Sequence, residues 1–399
     1  MQLFDTLRGQ IAPLEIPSDR PLTLYVCGVT PYDTTHIGHA HTFLIFDVLI
    51  RYLRHLGAEV RYCQNVTDVD TPLFERASRD SVAWDELARH ETEQFVRDCR
   101  ALNLIPPTFF PKASDEIPYM IPIVERLISL GHAYERGGSV YFSVKTDPEY
   151  GAMTRLGYAD MLKVANERGN IPDDPNKNDP LDFVLWQAAA PGEPTWQSPW
   201  GPGRPGWHIE CTSMSTRYLG EQIDIHGGGR DLIFPHHPSE IAQTEAYSGK
   251  RPFVRFWMHG GMAFLGGEKM SKSLGNMVFI RDALNQHSAD ALRWYLLSFP
   301  YRDDFHYQRD GVVAAEAQLA RLRDALAASG GSGPALDAAG ARDAYFAALD
   351  NDLQLPAALA QLDQLSGAIL AAAAEGHAVA DAQAALRTMA GVFGFWAAE

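Results

Sequence analysis

The alternation of apolar and polar positions marks out the first third of the chain as strand, helix, strand, helix. Leu22-Thr-Leu-Tyr-Val-Cys27 is a short apolar run held between Pro21 and Gly28, which predicts a buried strand. A helix-period segment from His39 to Leu56 follows and stops at Gly57; Ala58 to Val66 is a second strand. A long helical pattern then runs from Thr71 to Leu104. Such alternation predicts parallel pairing in an α/β sheet. From Pro111 to Gln197 the pattern mixes helices, the strand Ser139 to Val144 and a stretch rich in Pro, Asn and Asp from Gly169 to Pro180. Strand-like segments resume at Gln222 to His226 and Val254 to Met258. Beyond Asp310 the chain turns to Ala and Leu at helical spacing, interrupted by the linker Gly330-Gly-Ser-Gly-Pro334, as in a bundle of about three or four helices.

These segments divide the chain into four expected parts. Residues 1–110 and 198–310 form two halves of a Rossmann-like catalytic domain; 111–197 form an inserted subdomain, and 311–399 an α-helical bundle. A length of 399 residues suits two or three domains with a sizeable core. The hydrophobic fraction of 46% and charged fraction of 21% are ordinary for a soluble protein. Thr42 to Leu53 is interrupted by Asp47 and Arg51, and Met1 to Gln10 has no apolar run, so neither a membrane span nor a leader is expected. Four cysteines, at positions 27, 63, 99 and 211, make no disulfide framework, and a cytoplasmic setting is expected.

Charge narrows the partners. The net charge is −16, no Lys occurs after Lys272, and Gly311 to Glu399 carries four Arg against ten Asp and Glu. A surface that grips an extended nucleic acid is normally basic, so the helical end reads as unsuited to RNA.

Two short motifs suit nucleotide chemistry. Thr35-His36-Ile37-Gly38-His39 follows the first strand at the start of a helix. Gly38 removes bulk where backbone must approach a ligand, and the helix N-terminus offers amide donors to phosphate. His36 and His39 can donate to phosphoryl oxygens. Lys269-Met270-Ser271-Lys272-Ser273 follows Gly266 and Gly267, and its two lysines suit a departing pyrophosphate. In this order and on these elements the pair resembles the signature motifs of class I aminoacyl-tRNA synthetases. That resemblance implies ATP, with Mg²⁺, as a substrate.

A further set of residues has the donors of a four-coordinate zinc site: Cys27 at the strand end, Cys211, and His236 with Glu240 one helical turn apart. Spacing alone leaves this open against two buried cysteines and surface histidines. The strings Cys27-Gly28, Gly203-Arg-Pro-Gly-Trp-His-Ile-Glu-Cys211 and Phe234-Pro-His-His237 resemble the cysteine-binding zinc pocket of cysteinyl-tRNA synthetases and their relatives, over most of residues 20 to 310. The resemblance implies one Zn²⁺ per chain, L-cysteine as the activated amino acid, and a cysteinyl adenylate. It also implies that Cys27, Gly28, Val29, Thr30, Thr42, Asn65, Val66 and Thr67 line the adenylate, with Trp207, Gly229, Arg230, Asp231 and the backbone at Ala263. Cys63 and Cys99 match no ligand position and are expected to pack in the core.

Two relatives share such a core. One charges tRNA; the other, the cysteine ligase of the mycothiol pathway, passes cysteine to the amine of glucosaminyl-inositol. Cys27 to Ala40, Asn65 to Leu73 and Met161 to Gly169 are more similar to the second, which implies Glu167 and Arg168 as acceptor-binding residues. Glu240 is instead similar to the tRNA enzymes, and Arg230 and Pro238 are unusual for either. With an acidic helical end and a chain that stops soon after it, the expected acceptor is a small amine, with tRNA as the alternative. The chain is expected to act as a monomer. Asp33 and His208 are the candidates for the base of the transfer step. Intact signature motifs speak against an inactive binding paralogue.

Overall fold

A computed structural model describes residues 1–33, 35–270 and 277–396. Lys272 therefore lies outside the described residues, as does the side chain of Lys269. The chain opens with an antiparallel hairpin, β1 (Gln2–Asp5) and β2 (Gln10–Pro13), that the hydrophobic pattern does not predict. The expected unit follows: β3 (Leu22–Val29), α1 (Ile37–His55) and β4 (Val60–Val66). The long helical pattern is two helices, α2 (Thr71–Asp80) and α3 (Trp84–Ala101). Ser81 ends α2 in the left-handed region, at φ 54°, with its N–H on the carbonyl of Ala77. Asp70 begins α2 by accepting from the N–H of Thr71 at 2.8 Å, followed by Pro72 in the first turn.

Next come α4 (Ala113–Ser129), β5 (Ala133–Arg136), β6 (Ser139–Phe142), α5 (Tyr158–Asn166), β7 (Phe183–Ala188) and β8 (Gly203–Pro205). The strands form an antiparallel sheet in the order β5-β6-β7-β8, which draws in residues beyond Gln197. Buried Asp182 organises the polar stretch before it, accepting from the Tyr134 hydroxyl at 2.7 Å and the N–H groups of Val144 and Asp179.

α6 (Trp207–Leu219), β9 (Ile223–Gly229), α7 (His236–Ser248) and β10 (Val254–Gly260) complete the main sheet. Its four strands are parallel, in the order β10-β9-β3-β4. The chain leaves β3 towards β4 and leaves β9 towards β10, in opposite directions. The carboxyl ends of β3 and β9 thus open a crevice at the topological switch point, where α/β sheets bind ligands.

Two short helices, α8 (Ile280–Leu284) and α9 (Ala289–Leu297), lead to the bundle: α10 (Arg309–Ala327), α11 (Ala339–Asp350), α12 (Leu355–Ala374) and α13 (Ala380–Val392). The end of the expected linker enters a short strand, Gly333–Ala335, that pairs with His377–Ala378. Among the described residues, α12 is the one helix long and apolar enough to cross a membrane by length and composition. Its Leu355, Leu359, Leu362 and Ile369 are buried, in the same hydrophobic core as α1, α9, α10 and α13.

One buried cation joins these parts. Arg293 of α9 has no exposed surface; it donates to Asp47 of α1 at 2.5 Å, to the carbonyl of Leu102 at 2.6 Å and to that of Phe393 at 3.0 Å. Removing Arg293 leaves buried Asp47 with Arg51 alone, at 3.0 Å, and takes a donor from the carbonyls of Leu102 and Phe393. Arg293→Met should therefore cost about 3 kcal/mol, the low end for a broken buried pair, read as a lower denaturant midpoint at unchanged slope. Arg321→Met, at the exposed pair with Asp363, should cost less than about 1 kcal/mol in the same measurement.

Candidate active site

The site begins with an irregularity in β3. Val26 pairs with Gln64 and Val29 with Val66, so Cys27 and Gly28 together face Asn65 alone. Asn65 Oδ1 accepts from the Gly28 N–H at 2.9 Å, and its Nδ2 donates to Thr67 Oγ1 at 3.0 Å. The backbones come so close that a Cβ on residue 28 would lie 1.6 Å from the Asn65 carbonyl oxygen, which only glycine avoids. Bulges of this kind re-aim side chains beside active sites.

A cavity of about 560 Å³ opens at this bulge, at the switch point of the sheet. One wall is Cys27, Gly28, Val29 and Thr30 with His36, Gly38, His39 and Thr42 at the head of α1. Gly229, Asp231, Ala263 and Trp207 complete the lining expected from the sequence. The structure thus brings together most of the residues implied for the adenylate. Asn65, Val66 and Thr67 stand behind this lining; Asn65 and Thr67 brace Gly28 and Val29 through hydrogen bonds. Arg230 is also outside the lining: its guanidinium pairs with Asp304 at 2.9 Å and donates to the carbonyl of Arg302. Tyr32, Phe43, Asp70, Leu232 and Met262 line the cavity without having been singled out in the sequence.

The two signature histidines cap α1. His36 Nδ1 accepts from the Gly38 N–H at 3.0 Å, and His39 Nδ1 accepts from the His36 N–H at 3.5 Å. This reciprocal cap explains why the helix starts at Ile37, before the expected His39. It also puts the proton of each neutral ring on Nε2. On the other side, Met270 lines the cavity and its N–H bonds the Ala263 carbonyl at 3.0 Å, so the backbone of Lys269 runs beside the cavity wall.

Behind Cys27 lies a buried polar cluster. Cys211 of α6 and His236 and Glu240 of α7 gather around it, with one ligand atom of each residue within 4.8 Å of every other. The sulfurs are 3.9 Å apart, and His236 Nε2 is 3.0 Å from Glu240 Oε1. Those last two atoms lack the angle of a hydrogen bond, and among the described residues His236 Nε2 has no hydrogen-bond partner. A buried imidazole nitrogen left without a hydrogen-bond partner among crowded donor atoms suits a shared cation. Burial pushes the Cys27 thiol well up, and Cys211 and Glu240 add to it. Burial also works against charge on Cys211, yet the hydrogen bond to Cys27 and the His236 charge bring its thiol down to about 6. Both work against their own burial: His236 is raised to about 10 by Cys211 and Glu240, and Glu240 is lowered to about 2 by His226 and His236. Two sulfurs, an imidazole and a carboxylate fit zinc, whose binding would displace the protons held by the Cys27 thiol and the His236 ring.

Sequence reasoning missed the groups that support this cluster. His226 Nε2 lies 2.9 Å from Glu240 Oε2, and His237 Nε2 lies 3.5 Å from Cys27 Sγ. Cys63 is buried in the same apolar core as Cys27 and Cys211 but among the described residues joins no ligand group, and burial, then Cys211, pushes its thiol up; Cys99 is partly buried against the core. His208 is not at the cavity: its Nδ1 is 2.8 Å from His236 Nδ1, and burial lowers its pKa well below the ordinary value. Asp33 pairs with Arg76 at 3.1 Å. Arg168 donates to the carbonyl of Asp231 at 2.5 Å, bringing the end of α5 to the cavity rim, while Glu167 is exposed there.

Residues 14–317 match the family described as tRNA synthetases class I (C) catalytic domain. A cysteine–tRNA ligase of Dehalococcoides mccartyi is 43% identical over 399 residues, covering 99% of this chain and 86% of the relative. One of Geobacter sulfurreducens is 41% identical over 416 residues, covering 100% and 85%. Among solved structures, the Mycobacterium tuberculosis methionyl-tRNA synthetase in complex with methionyl-adenylate is similar in fold, with TM-score 0.66 and 17% identity over 94% of this chain and 89% of that one.

The cluster predicts that the purified protein carries about one zinc per chain, bound through two protein sulfurs. Cys27→Ala and Cys211→Ala should each lose the metal by elemental analysis, and Cys63→Ala should keep it. X-ray absorption without zinc–sulfur scattering would contradict the assignment.

Proposed function

The chain belongs to the class I (C) tRNA synthetase catalytic-domain family, and from there we propose that it activates L-cysteine with ATP and transfers it to tRNA. The observation that carries this reading is the shared residue: Cys27 both lines the nucleotide cavity and belongs to the metal-type cluster behind it. A thiol-selective group and a phosphate-binding helix start therefore meet within one cavity.

In the first step the cysteine carboxylate attacks the α-phosphorus of Mg-ATP, and pyrophosphate leaves. The Nε2–H groups of His36 and His39, with the positive end of α1, stabilise charge on the phosphoryl oxygens. Lys269 and Lys272 neutralise the departing pyrophosphate. Zinc, when held by Cys27, Cys211, His236 and Glu240, favours a substrate thiolate over the harder, less acidic hydroxyl of serine. Gly28 and Val29 offer backbone to the adenylate, while Asn65 and Thr67 hold that backbone in place. In the second step a ribose hydroxyl at the tRNA 3′ end attacks the acyl carbon and AMP leaves.

For the acceptor, the similarity to cysteine–tRNA ligases runs through the helical bundle as well as the catalytic part, which supports tRNA over the amino sugar read from local strings. The segment around Glu167 and Arg168 loses weight as an amine site, since Arg168 is bonded to the cavity rim itself.

Two experiments test the reading. Offered cysteine, ATP and either total tRNA or glucosaminyl-inositol, the enzyme should charge tRNA and leave the amino sugar unmodified. The reverse outcome would assign the small amine. Separately, Lys269→Ala and Lys272→Ala should lower kcat for adenylate formation at saturating ATP more than they raise KM, because their charges act on the transition state. Unchanged kcat with a raised KM would make them simple ATP-binding residues.

A further inference from the structure

A file of hydrogen-bonding groups runs from the metal-type cluster to the N-terminal hairpin. His237 Nε2 lies 3.5 Å from Cys27 Sγ, His237 Nδ1 lies 2.7 Å from His259 Nε2, and His259 Nδ1 lies 2.8 Å from Thr6 Oγ1. All three supporting residues are buried. Thr6 directly follows β1 and is anchored independently: its N–H bonds the Trp257 carbonyl at 2.9 Å, and its own carbonyl accepts from Arg155.

A neutral imidazole has one N–H and one lone pair, so the file has a direction. A thiolate that ligates a metal has no hydrogen to give, and His237 must donate to it from Nε2. His237 Nδ1 then accepts from His259 Nε2, and His259 Nδ1 accepts from the Thr6 hydroxyl. The neighbouring rings do not substitute for this: His226 packs edge-on to His237 and spends its Nε2 on Glu240, and Trp257 meets His237 through its ring.

We propose that Thr6 is a positioning residue for the metal site, whose hydroxyl sets the tautomers of His259 and His237 so that Cys27 receives a hydrogen bond as a thiolate. The inference rests on the metal reading above. Without the hydroxyl, His259 Nδ1 is left unpaired in a buried place, or the file reverses and turns an imidazole lone pair towards the sulfur.

The test is zinc affinity by chelator competition on the full chain, together with the thiolate charge-transfer bands of the cobalt-loaded protein. Thr6→Val should weaken zinc binding about tenfold or more and shift those bands, and Thr6→Ser should restore both. His259→Phe, which breaks the file one link nearer the sulfur, should weaken zinc at least as much and keeps the test decisive if Thr6→Val does not fold. Wild-type affinity in Thr6→Val or His259→Phe, or equal loss in the Val and Ser variants, would overturn the proposal. Failure of the wild-type protein to bind zinc would instead overturn the metal reading beneath it.

Discussion

The close approach of β3 to β4 at Gly28 is the constraint on which the site depends. Two residues of one strand face one of the other, and no side chain fits at the contact. Because the strand bulges there, consecutive residues serve different ends. Cys27 reaches the buried cluster, while Gly28, Val29 and Thr30 present the edge of the cavity. The same strand β3 borders the switch point on its other side, where its carboxyl end and that of β9 open the crevice. Gly227 of the neighbouring strand β9 is constrained as well, since a Cβ there would meet the ring of Phe46 at 2.1 Å.

The rest of the molecule holds that geometry from two sides. Helix α1, whose start makes the phosphate end of the cavity, is buried along most of its length between the sheet and the bundle. The Asp47–Arg293 pair ties it to α9 and to the ends of α3 and α13. On the other side, α6 and α7 pack together through a polar seam in which Gln243 donates to the His208 carbonyl and to Thr212. A low-dielectric interior strengthens such bonds and makes unmatched ones costly, so the seam favours a single arrangement of the cluster.

Much of this was legible from residues alone. The parallel strands β3, β4, β9 and β10 announce themselves as apolar runs, and the Ala/Leu helices by their period. The hairpin β1–β2 was not, since Gln10 to Pro13 has little buried surface to impose a pattern. The break between α2 and α3 was hidden because Ser81 takes a left-handed conformation without a glycine to mark it. The cluster residues are scattered from Cys27 to Glu240, so only resemblance joined them; nothing in the sequence places His226, His259 or Thr6 behind them. Arg230 stands apart from its neighbours. Its neighbours Gly229 and Asp231 do line the cavity, but its long side chain finds Asp304 instead.

The most direct test of the account is amino-acid-dependent exchange of pyrophosphate into ATP, measured with cysteine and with serine. A cluster that reads the substrate thiol predicts exchange with cysteine, and with serine a rate lower by about a thousandfold, equivalent to about 4 kcal/mol of discrimination. Exchange with serine at a rate near that of cysteine, or none with cysteine, would contradict it.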